Sequence, residues 1–422
     1  MNLKKNLNFD INIFGLGYVG LTLAAKLLNN GFKVNGFEID NKILHSLKEE
    51  KKSHFIEPQI NKIIKRAIQK KKFNISRKLD YKIIKKSINI ITIGTPIINK
   101  KIFLKSIFNV IGEIKKNLEN DKSIIILRST VKIGTTRKLN KKFNKKINFA
   151  FCPERTIEGA ALKELSINPQ IIATENLYAK KIVNNFFSIF NKNIIHVDQF
   201  EKAEVIKLFD NTYRDINFSI GNEFGRICHN LGFSGNEIIK LCNKDYYRTN
   251  IAMPGIVGGP CLDKDPYILL ESINIKKNNL IFISRKINEN MIENGINEIS
   301  KKINLKKINK VCIIGLAFKG KPITNDLRGS HAVKIIKKLK SINNKIELYG
   351  LDPHIQNENF EDLGLKKYKK RIKYDLLIIQ NNAEFIKKIG IYNLKKNLKK
   401  SGIIYDYWSL FLNNDKKYFT YA

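Results

Sequence analysis

The sequence contains no uninterrupted apolar run near the roughly 18 to 20 residues that a membrane-spanning helix needs. It also shows no secretory leader pattern: the basic start, Met1 to Asp10, runs straight into a strand-like segment with no cleavage site. Together these predict a cytoplasmic protein with no membrane partner. Cysteine is scarce and unpatterned. The five, at positions 152, 228, 242, 261 and 312, form no CxxC pair and no metal-ligand spacing. That argues against a disulfide framework, predicts no bound metal and suits a reducing compartment. Acidic residues are also few, 38 against 77 basic ones, for a formal charge of +39. Such a balance ordinarily points to nucleic acid or an anionic lipid surface. Here, however, 66 of the 77 are Lys and only 11 are Arg, and they are scattered along the chain. Nucleic-acid recognition calls for clustered Arg with exposed aromatics along one stripe. The dispersed Lys, inflated together with Asn and Ile, instead predicts solvated faces and no nucleic-acid partner.

What remains is ample for globular domains. With 422 residues, 43% of them hydrophobic, two or three cores are expected and wholesale disorder is excluded. A short strand at Ile11 to Phe14 is followed by Gly15-Leu16-Gly17-Tyr18-Val19-Gly20, a helix over Leu21 to Asn30 and a strand from Val34 to Ile39. Strands at Asn89 to Ile93 and Ile124 to Leu127 alternate with Lys-rich helical sequence. This alternation predicts a parallel, doubly wound sheet. From Glu201 to about Leu231 the pattern is one long helix, and helical sequence continues to about Leu305. Strands then restart at Val311 to Gly315, Ile346 to Tyr349, Leu376 to Ile379 and Ile403 to Asp406. The expected fold class is therefore α/β. Two Rossmann-like doubly wound domains (1–200 and 306–422) are joined by a long central helix and a helical middle domain (201–305).

Five segments carry candidate chemistry. A GxGxxG between a strand and a helix is a dinucleotide fingerprint. Gly15 permits the tight turn, Gly17 lets backbone approach a pyrophosphate, and Gly20 allows close helix packing. The helix N-terminus offers free N–H groups to the phosphates. Glu38, at the end of the second strand, is placed to accept from ribose hydroxyls and to repel a 2′-phosphate, which favours NAD over NADP. The segment Cys152-Pro153-Glu154-Arg155 sets a carboxylate and a guanidinium at a strand end, where α/β sheets hold ligands, although a solvated loop fits it as well. Lys207, Asn211 and Arg214 fall at i, i+4 and i+7 and share one helical face. That face is either solvated or a grip for a sugar and its phosphates. In Gly255-Ile256-Val257-Gly258-Gly259-Pro260-Cys261-Leu262-Asp263-Lys264-Asp265, glycines beside a cysteine leave room for a ligand at its sulfur, and Lys264 favours the thiolate. Finally, Gly315-Leu316-Ala317-Phe318-Lys319-Gly320 and Asn325-Asp326-Leu327-Arg328 offer contacts for a base and for phosphates.

In combination and in order, GLGYVGL, the Arg128 to Thr130 RST, CPER, the Lys207/Asn211 helix, GGPCLDKDP and GLAFKG…NDLR resemble the UDP-glucose/GDP-mannose dehydrogenase family over essentially the whole chain. The resemblance implies a four-electron oxidation of a sugar C6 alcohol to the carboxylate, with two NAD molecules consumed in turn. It assigns Cys261 as the nucleophile that gives a thiohemiacetal and then a thioester. Lys207 and Asp265 assist the first proton removal and polarise the developing oxygen, Asn211 stands in the same catalytic set, and Glu154 activates the hydrolytic water. Tyr18, Val19, Glu38, Thr95, Thr130 and Arg328 match cofactor-contacting positions. Arg155, Lys207, Asn211, Arg214, Arg248, Gly258 and Lys319 match substrate-contacting ones. The Arg248 equivalent reaches across from a neighbouring subunit, so a homodimer is implied. CPER and GGPC are more similar to the branches that act on UDP-linked 2-acetamido sugars, UDP-N-acetylmannosamine or UDP-N-acetylglucosamine. UDP-glucose is the alternative, and surface polysaccharide precursors are the expected products. Two departures flank the site: Asp263 stands where many members carry Pro, and Gly320-Lys321 lengthens the lysine loop.

Overall fold

A computed structural model of the chain describes residues 9–78, 86–98, 101–118, 122–143, 147–275, 278–411 and 417–420. These residues form two compact units. The first comprises Met1–Asp210 with Tyr267–Asn274, and the second Asn211–Pro266 with Ile275–Ala422.

The first unit is built on strands β1 (Asp10–Phe14), β2 (Val34–Phe37), β3 (Phe73–Ser76) and β4 (Ser87–Ile91). A hairpin of β5 (Ile97–Ile98) and β6 (Lys101–Ile102) follows, then β7 (Ile124–Leu127), β8 (Asn148–Phe151), β9 (Gln170–Ala173) and β10 (Ile194–Val197). Apart from the hairpin they make one sheet, in the order β10-β9-β8-β7-β4-β1-β2-β3. All pairings in it are parallel except β8 with β9. The run Ile124-Ile125-Ile126-Leu127 is continuously apolar because both faces of the sheet are covered. Ile124 and Ile126 join the core that contains the helix Tyr18–Asn29, and Ile125 and Leu127 join the opposite core with Ile107 and Ile111. Asn12 lies between core positions and is satisfied by a side-chain ladder, with Asn12 Nδ2 donating to Asn89 Oδ1 at 2.9 Å and Asn35 Nδ2 donating to Asn12 Oδ1 at 3.0 Å.

The second unit holds β11 (Lys310–Ile314), β12 (Glu347–Leu351), β13 (Lys366–Lys367), β14 (Tyr374–Ile379), β15 (Leu398–Asp406) and β16 (Tyr418–Thr420). They form an all-parallel sheet in the order β13-β12-β11-β14-β15-β16. Its central strand repeats the two-sided pattern, with Leu376 and Ile378 in one core and Leu377 and Ile379 in the other. The helices Gly235–Asn243 and Leu280–Lys302 belong to this unit, and the 31-residue helix Phe200–Asn230 runs from the first unit into it.

The predicted doubly wound sheets are both present, and strand edges differ from the expected ones by at most a few residues. Strands β3, β5, β6, β9, β10, β13 and β16 were not anticipated. They are short and flanked by Lys and Asn, so their apolar signal is diluted. Of the central helical sequence, residues 201–210 and 267–274 fall in the first unit and the rest in the second.

Candidate active site

The order of the first sheet reverses direction on either side of β1, and at such a switch point the loops leave a crevice at the carboxyl ends of the strands. Gly15 turns the chain there with φ +92°, a left-handed conformation that favours glycine. A Cβ at Gly20 would lie 1.9 Å from the Gly15 carbonyl oxygen and 2.6 Å from Thr92 Oγ1, so helix and loop touch only because the position is bare. A Cβ at Gly17 would meet no protein atom within 4 Å. The position therefore opens onto free space, the clearance that a pyrophosphate running past the backbone would need. Glu38, following β2, accepts from Leu16 N at 2.7 Å, Ile39 N at 2.7 Å and Asp40 N at 3.0 Å. Its carboxylate closes the loop and keeps lone pairs for further donors. Thr95 Oγ1 donates to the Thr130 carbonyl at 2.8 Å and Ser129 Oγ to the Ile93 carbonyl at 2.7 Å, so the loops after β4 and β7 are laced together. Gly15, Gly17, Glu38, Thr95 and Thr130 thus lie at one edge of one sheet, and this edge fits NAD.

Tyr18 carries a link that the sequence did not reveal. Its hydroxyl donates to Glu57 Oε2 at 2.7 Å and accepts from Gly159 N at 2.9 Å, while Glu57 Oε1 accepts from Leu162 N at 3.0 Å. The dinucleotide loop is therefore tied to the segment that follows Glu154. Val19, next to it, is only partly buried.

Glu154 is buried. Its Oε2 takes Arg128 Nη2 at 2.5 Å, and its Oε1 takes the backbone N–H groups of Arg155 and Thr156 at 2.9 Å each. Burial alone would push this carboxyl up, but the Arg128 charge and hydrogen bond outweigh it and hold it below the ordinary carboxylate range. Arg128 is fixed in turn by Gln170 Oε1 at 2.9 Å and lies over the Phe187 ring. Arg155 Nε donates to Asp210 Oδ2 at 2.6 Å.

Along the helix Phe200–Asn230 the i, i+4, i+7 face divides. Lys207 and Asn211 are buried, whereas Arg214 is exposed. The expected solvated alternative fails for the first two, and Phe209 and Tyr213 are the residues that face solvent, 57% and 63% exposed. In the second unit Asn211 Nδ2 donates to Asp265 Oδ2 at 2.6 Å, and Asp265 is wholly buried. Lys264 Nζ lies 3.7 Å from Asp265 Oδ1.

Cys261 is exposed, in the turn that leads into the helix Asp265–Ser272. Its carbonyl accepts from Lys264 N at 3.1 Å and Asp265 N at 2.9 Å. The glycines beside it do not hold space open for a ligand, as the sequence suggested. A Cβ at Gly258 would lie 2.3 Å from His331 Cε1, one at Gly259 2.4 Å from the Phe318 ring, and one at Gly255 2.5 Å from Trp408. Protein fills those spaces, so the glycines let the thiol loop pack, and Gly258 has only backbone to offer a substrate.

The loop after β11 repeats the first unit's turn. Gly315 has φ +79°, and Leu316 N donates to Asp352 Oδ2 at 2.8 Å, as Leu16 N does to Glu38. Lys319 Nζ lies 5.4 Å from the centre of the Phe318 ring. Gly320 packs against the backbone of Ala383. Arg328 is exposed and fastened to Asp326, with Nη2 donating to Oδ2 at 2.6 Å. Arg248, also exposed, donates from Nε to Tyr247 Oη at 3.2 Å. Among the described residues no cluster of His, Cys, Asp or Glu could hold a metal ion, and no helix is long and apolar enough to cross a membrane.

A dinucleotide-binding switch point in one unit, and an exposed cysteine beside a buried Asn–Asp pair in the other, define an oxidoreductase of the nicotinamide-dependent kind. The sequence matches the UDP-glucose/GDP-mannose dehydrogenase family in its NAD binding domain over residues 9–191, its central domain over 201–291 and its UDP binding domain over 312–413. It is 32% identical over 408 residues to a UDP-N-acetyl-D-mannosamine dehydrogenase of Methanococcus vannielii, covering 93% of this chain and 91% of that one. The fold is similar to a solved UDP-D-ManNAc dehydrogenase of Pyrococcus horikoshii (TM-score 0.85, 27% identity, 98% of both chains). It is also similar to a UDP-N-acetyl-mannosamine dehydrogenase of Staphylococcus aureus (TM-score 0.82, 25% identity, 98% of both chains). The chain belongs to the UDP-glucose/GDP-mannose dehydrogenase family and is an NAD-dependent nucleotide-sugar dehydrogenase.

Proposed function

We propose that the substrate is a UDP-linked 2-acetamido sugar, with UDP-N-acetylmannosamine first and UDP-N-acetylglucosamine second. Its C6 alcohol is oxidised by four electrons to the carboxylate, to supply precursors of surface polysaccharides. The observation that carries the choice of sugar is the match, over nine-tenths of both chains, to a relative named for that substrate. NAD, when bound, accepts a hydride from C6, once from the alcohol and once more after exchange for a fresh molecule.

The protein's residues perform the remaining steps. Lys207 and Asp265 remove the alcohol proton and polarise the developing oxygen, with Asn211 orienting the Asp265 carboxylate. Cys261 Sγ adds to the aldehyde carbon to give a thiohemiacetal, and loss of the second hydride leaves a thioester. A water activated by Glu154 replaces the sulfur, so that the carboxylate leaves and the thiol is restored. The Arg128 pair keeps Glu154 ionised and therefore able to take the water's proton at neutral pH. Arg155, Arg214, Lys319 and the Gly258 backbone bind the nucleotide sugar, and Arg328, Tyr18 and Val19 complete the cofactor contacts.

The active form is a homodimer. Tyr213, Ile220, Phe224 and Ile227 are exposed at steps of seven, four and three along one helix, with Leu231 exposed just past its end, an apolar stripe suited to a second copy of this chain. Arg248 reaches the neighbouring active site from that arrangement. The five cysteines, all thiols rather than disulfides, fit a cytoplasmic location.

The test is an NADH-release screen over UDP-N-acetylmannosamine, UDP-N-acetylglucosamine, UDP-N-acetylgalactosamine, UDP-glucose and GDP-mannose. The expected result is two NADH per 2-acetamido sugar, with Cys261→Ser unable to complete turnover. One NADH per sugar, with that variant fully active, would refute the mechanism. Preference for UDP-glucose would refute the choice of sugar alone.

A further inference from the structure

We propose that Arg285 is a positioning residue for the Cys261 thiol. It acts through the Leu262 carbonyl and is held in place by Asp215 and by Asp263. The inference rests on the catalytic reading of Cys261 given above. Arg285, on the helix Leu280–Lys302, is completely buried, an environment a guanidinium takes only with partners. Its Nη1 donates to Asp215 Oδ1 at 2.6 Å and to the Leu262 carbonyl at 3.0 Å. Asp215, itself buried, is locked from a second direction. Asn288, three residues beyond Arg285, donates from Nδ2 to Asp215 Oδ1 at 2.9 Å and to the Asp215 carbonyl at 2.8 Å.

Leu262 follows the nucleophile directly. With the Cys261 carbonyl held by Lys264 N and Asp265 N and the Leu262 carbonyl held by Arg285, the 261–262 and 262–263 peptide planes, on either side of Leu262, are set. Upstream, Gly259 N donates to the Gly329 carbonyl at 3.2 Å. The backbone that aims Sγ is thus pinned before and after the thiol. Asp215 and Asp263 face the same Nη1 atom that holds the Leu262 carbonyl, and Glu289 lies 3.9 Å from Nε on the other side of the guanidinium.

Asp263 adds a second carboxylate and a second positive partner to the network. Its Oδ1 lies 3.8 Å from Arg285 Nη1 and its Oδ2 3.7 Å from Lys334 Nζ, and its backbone N donates to the Gly259 carbonyl at 3.3 Å. A proline, which the family resemblance leads one to expect at 263, would stiffen the loop through its ring but could neither donate that hydrogen bond nor face Arg285. Here hydrogen bonding and charge take over what a ring would do. Buried ion pairs are weak contributors to stability compared with apolar packing, so the network is better explained by the geometry it imposes than by the fold it supports.

The experiment uses the full-length enzyme and the variants Arg285→Met, Arg285→Lys and Asp263→Asn. Two readouts are taken on folded protein. One is the rate of iodoacetamide alkylation at Cys261 as a function of pH without nucleotides, followed by peptide mass spectrometry because Cys242 is also exposed. The other is kcat and KM per titrated thiol. A misplacement of about 1 Å costs about 10²-fold. Arg285→Met should accordingly lose about 10²-fold in kcat with little change in KM and show an altered alkylation profile. Arg285→Lys should recover part of the loss, and Asp263→Asn should lose several-fold. Alkylation and per-site kcat within twofold of the parent in Arg285→Met would overturn the proposal. Should that variant not fold, the same null result in Asp263→Asn and Arg285→Lys together would overturn it. Alkylation needs no turnover, so a full-activity Cys261→Ser enzyme would refute the catalytic reading without touching the positioning measurement.

Discussion

Replacing Gly17 by Ala separates a glycine required by the fold from one required by a ligand. At Gly17 the backbone has φ −61° and ψ −169°, an extended conformation open to alanine, and an added methyl meets no protein atom within 4 Å. The unliganded Gly17→Ala protein should therefore be as stable as the parent, or firmer by about 0.4 to 1 kcal/mol because its unfolded chain is less free. The methyl would instead stand where the pyrophosphate passes. Losing one charge-assisted backbone hydrogen bond there costs about 1.5 to 3 kcal/mol, which is about 10- to 10²-fold in the Kd for NAD. Gly20→Ala is the contrasting control. Its methyl would sit 1.9 Å from a backbone oxygen that cannot rotate away, an overpacking worth about 1 to 3 kcal/mol of stability. Scanning calorimetry of the unliganded proteins and isothermal titration with NAD read the two effects apart. The reasoning fails if Gly17→Ala melts as low as Gly20→Ala, or if it binds NAD within twofold of the parent.

Arg128→Met should destabilise the first unit by about 3 to 5 kcal/mol by leaving Glu154 buried and unpaired, and Arg128→Met/Glu154→Gln should recover part of that in denaturant unfolding. An additive double variant would show that the pair is not coupled. Asp406 is pushed up to about 6, chiefly by burial, against the bonds it accepts from Tyr418 Oη and the Trp408 and Leu410 amides. A folded value above the unfolded 3.8 means that stability is fully present below the unfolded value and is lost as pH rises through the folded one. The stability advantage of the parent over Asp406→Asn should therefore shrink by about 2 kcal/mol between pH 4 and pH 7, and a constant gap in urea titrations would contradict this. Phe224→Asp, in the middle of the exposed stripe, should weaken self-association by about 30-fold or more in analytical ultracentrifugation. Unchanged sedimentation would place any dimer interface elsewhere.

What could be read from the sequence was what is local. The Gly15 to Gly20 turn, the acid after β2 and the cysteine loop each lie within a few residues, and the turn's strand–glycine–helix context is itself a sequence pattern. The spacing of Lys207 and Asn211 was readable too, but not which side of that helix is covered. That depends on neighbours distant in sequence, and Phe209 ends up outside while Lys207 is inside. The partners of the charged residues were out of reach for the same reason. Arg128 finds Glu154 across 26 residues, Tyr18 finds Glu57 across 39, and Asp215 finds Arg285 across 70. No periodicity encodes such pairings. The repeated turn at Gly315 was visible only as a vague echo, because its acid, Asp352, is too ordinary a residue to stand out before the bond to Leu316 N is seen.

The contact between Gly255 and Trp408 has an optical consequence. Trp408 is the only tryptophan in the chain, its ring lies where a Gly255 side chain would be, and its indole N–H is held by the Gln380 carbonyl at 3.0 Å. All intrinsic indole emission thus originates from one fixed ring, packed on a glycine that lies six residues before the nucleophile. Any shift of Gly255 relative to that ring would change its emission in the unlabelled enzyme, with no second tryptophan to subtract.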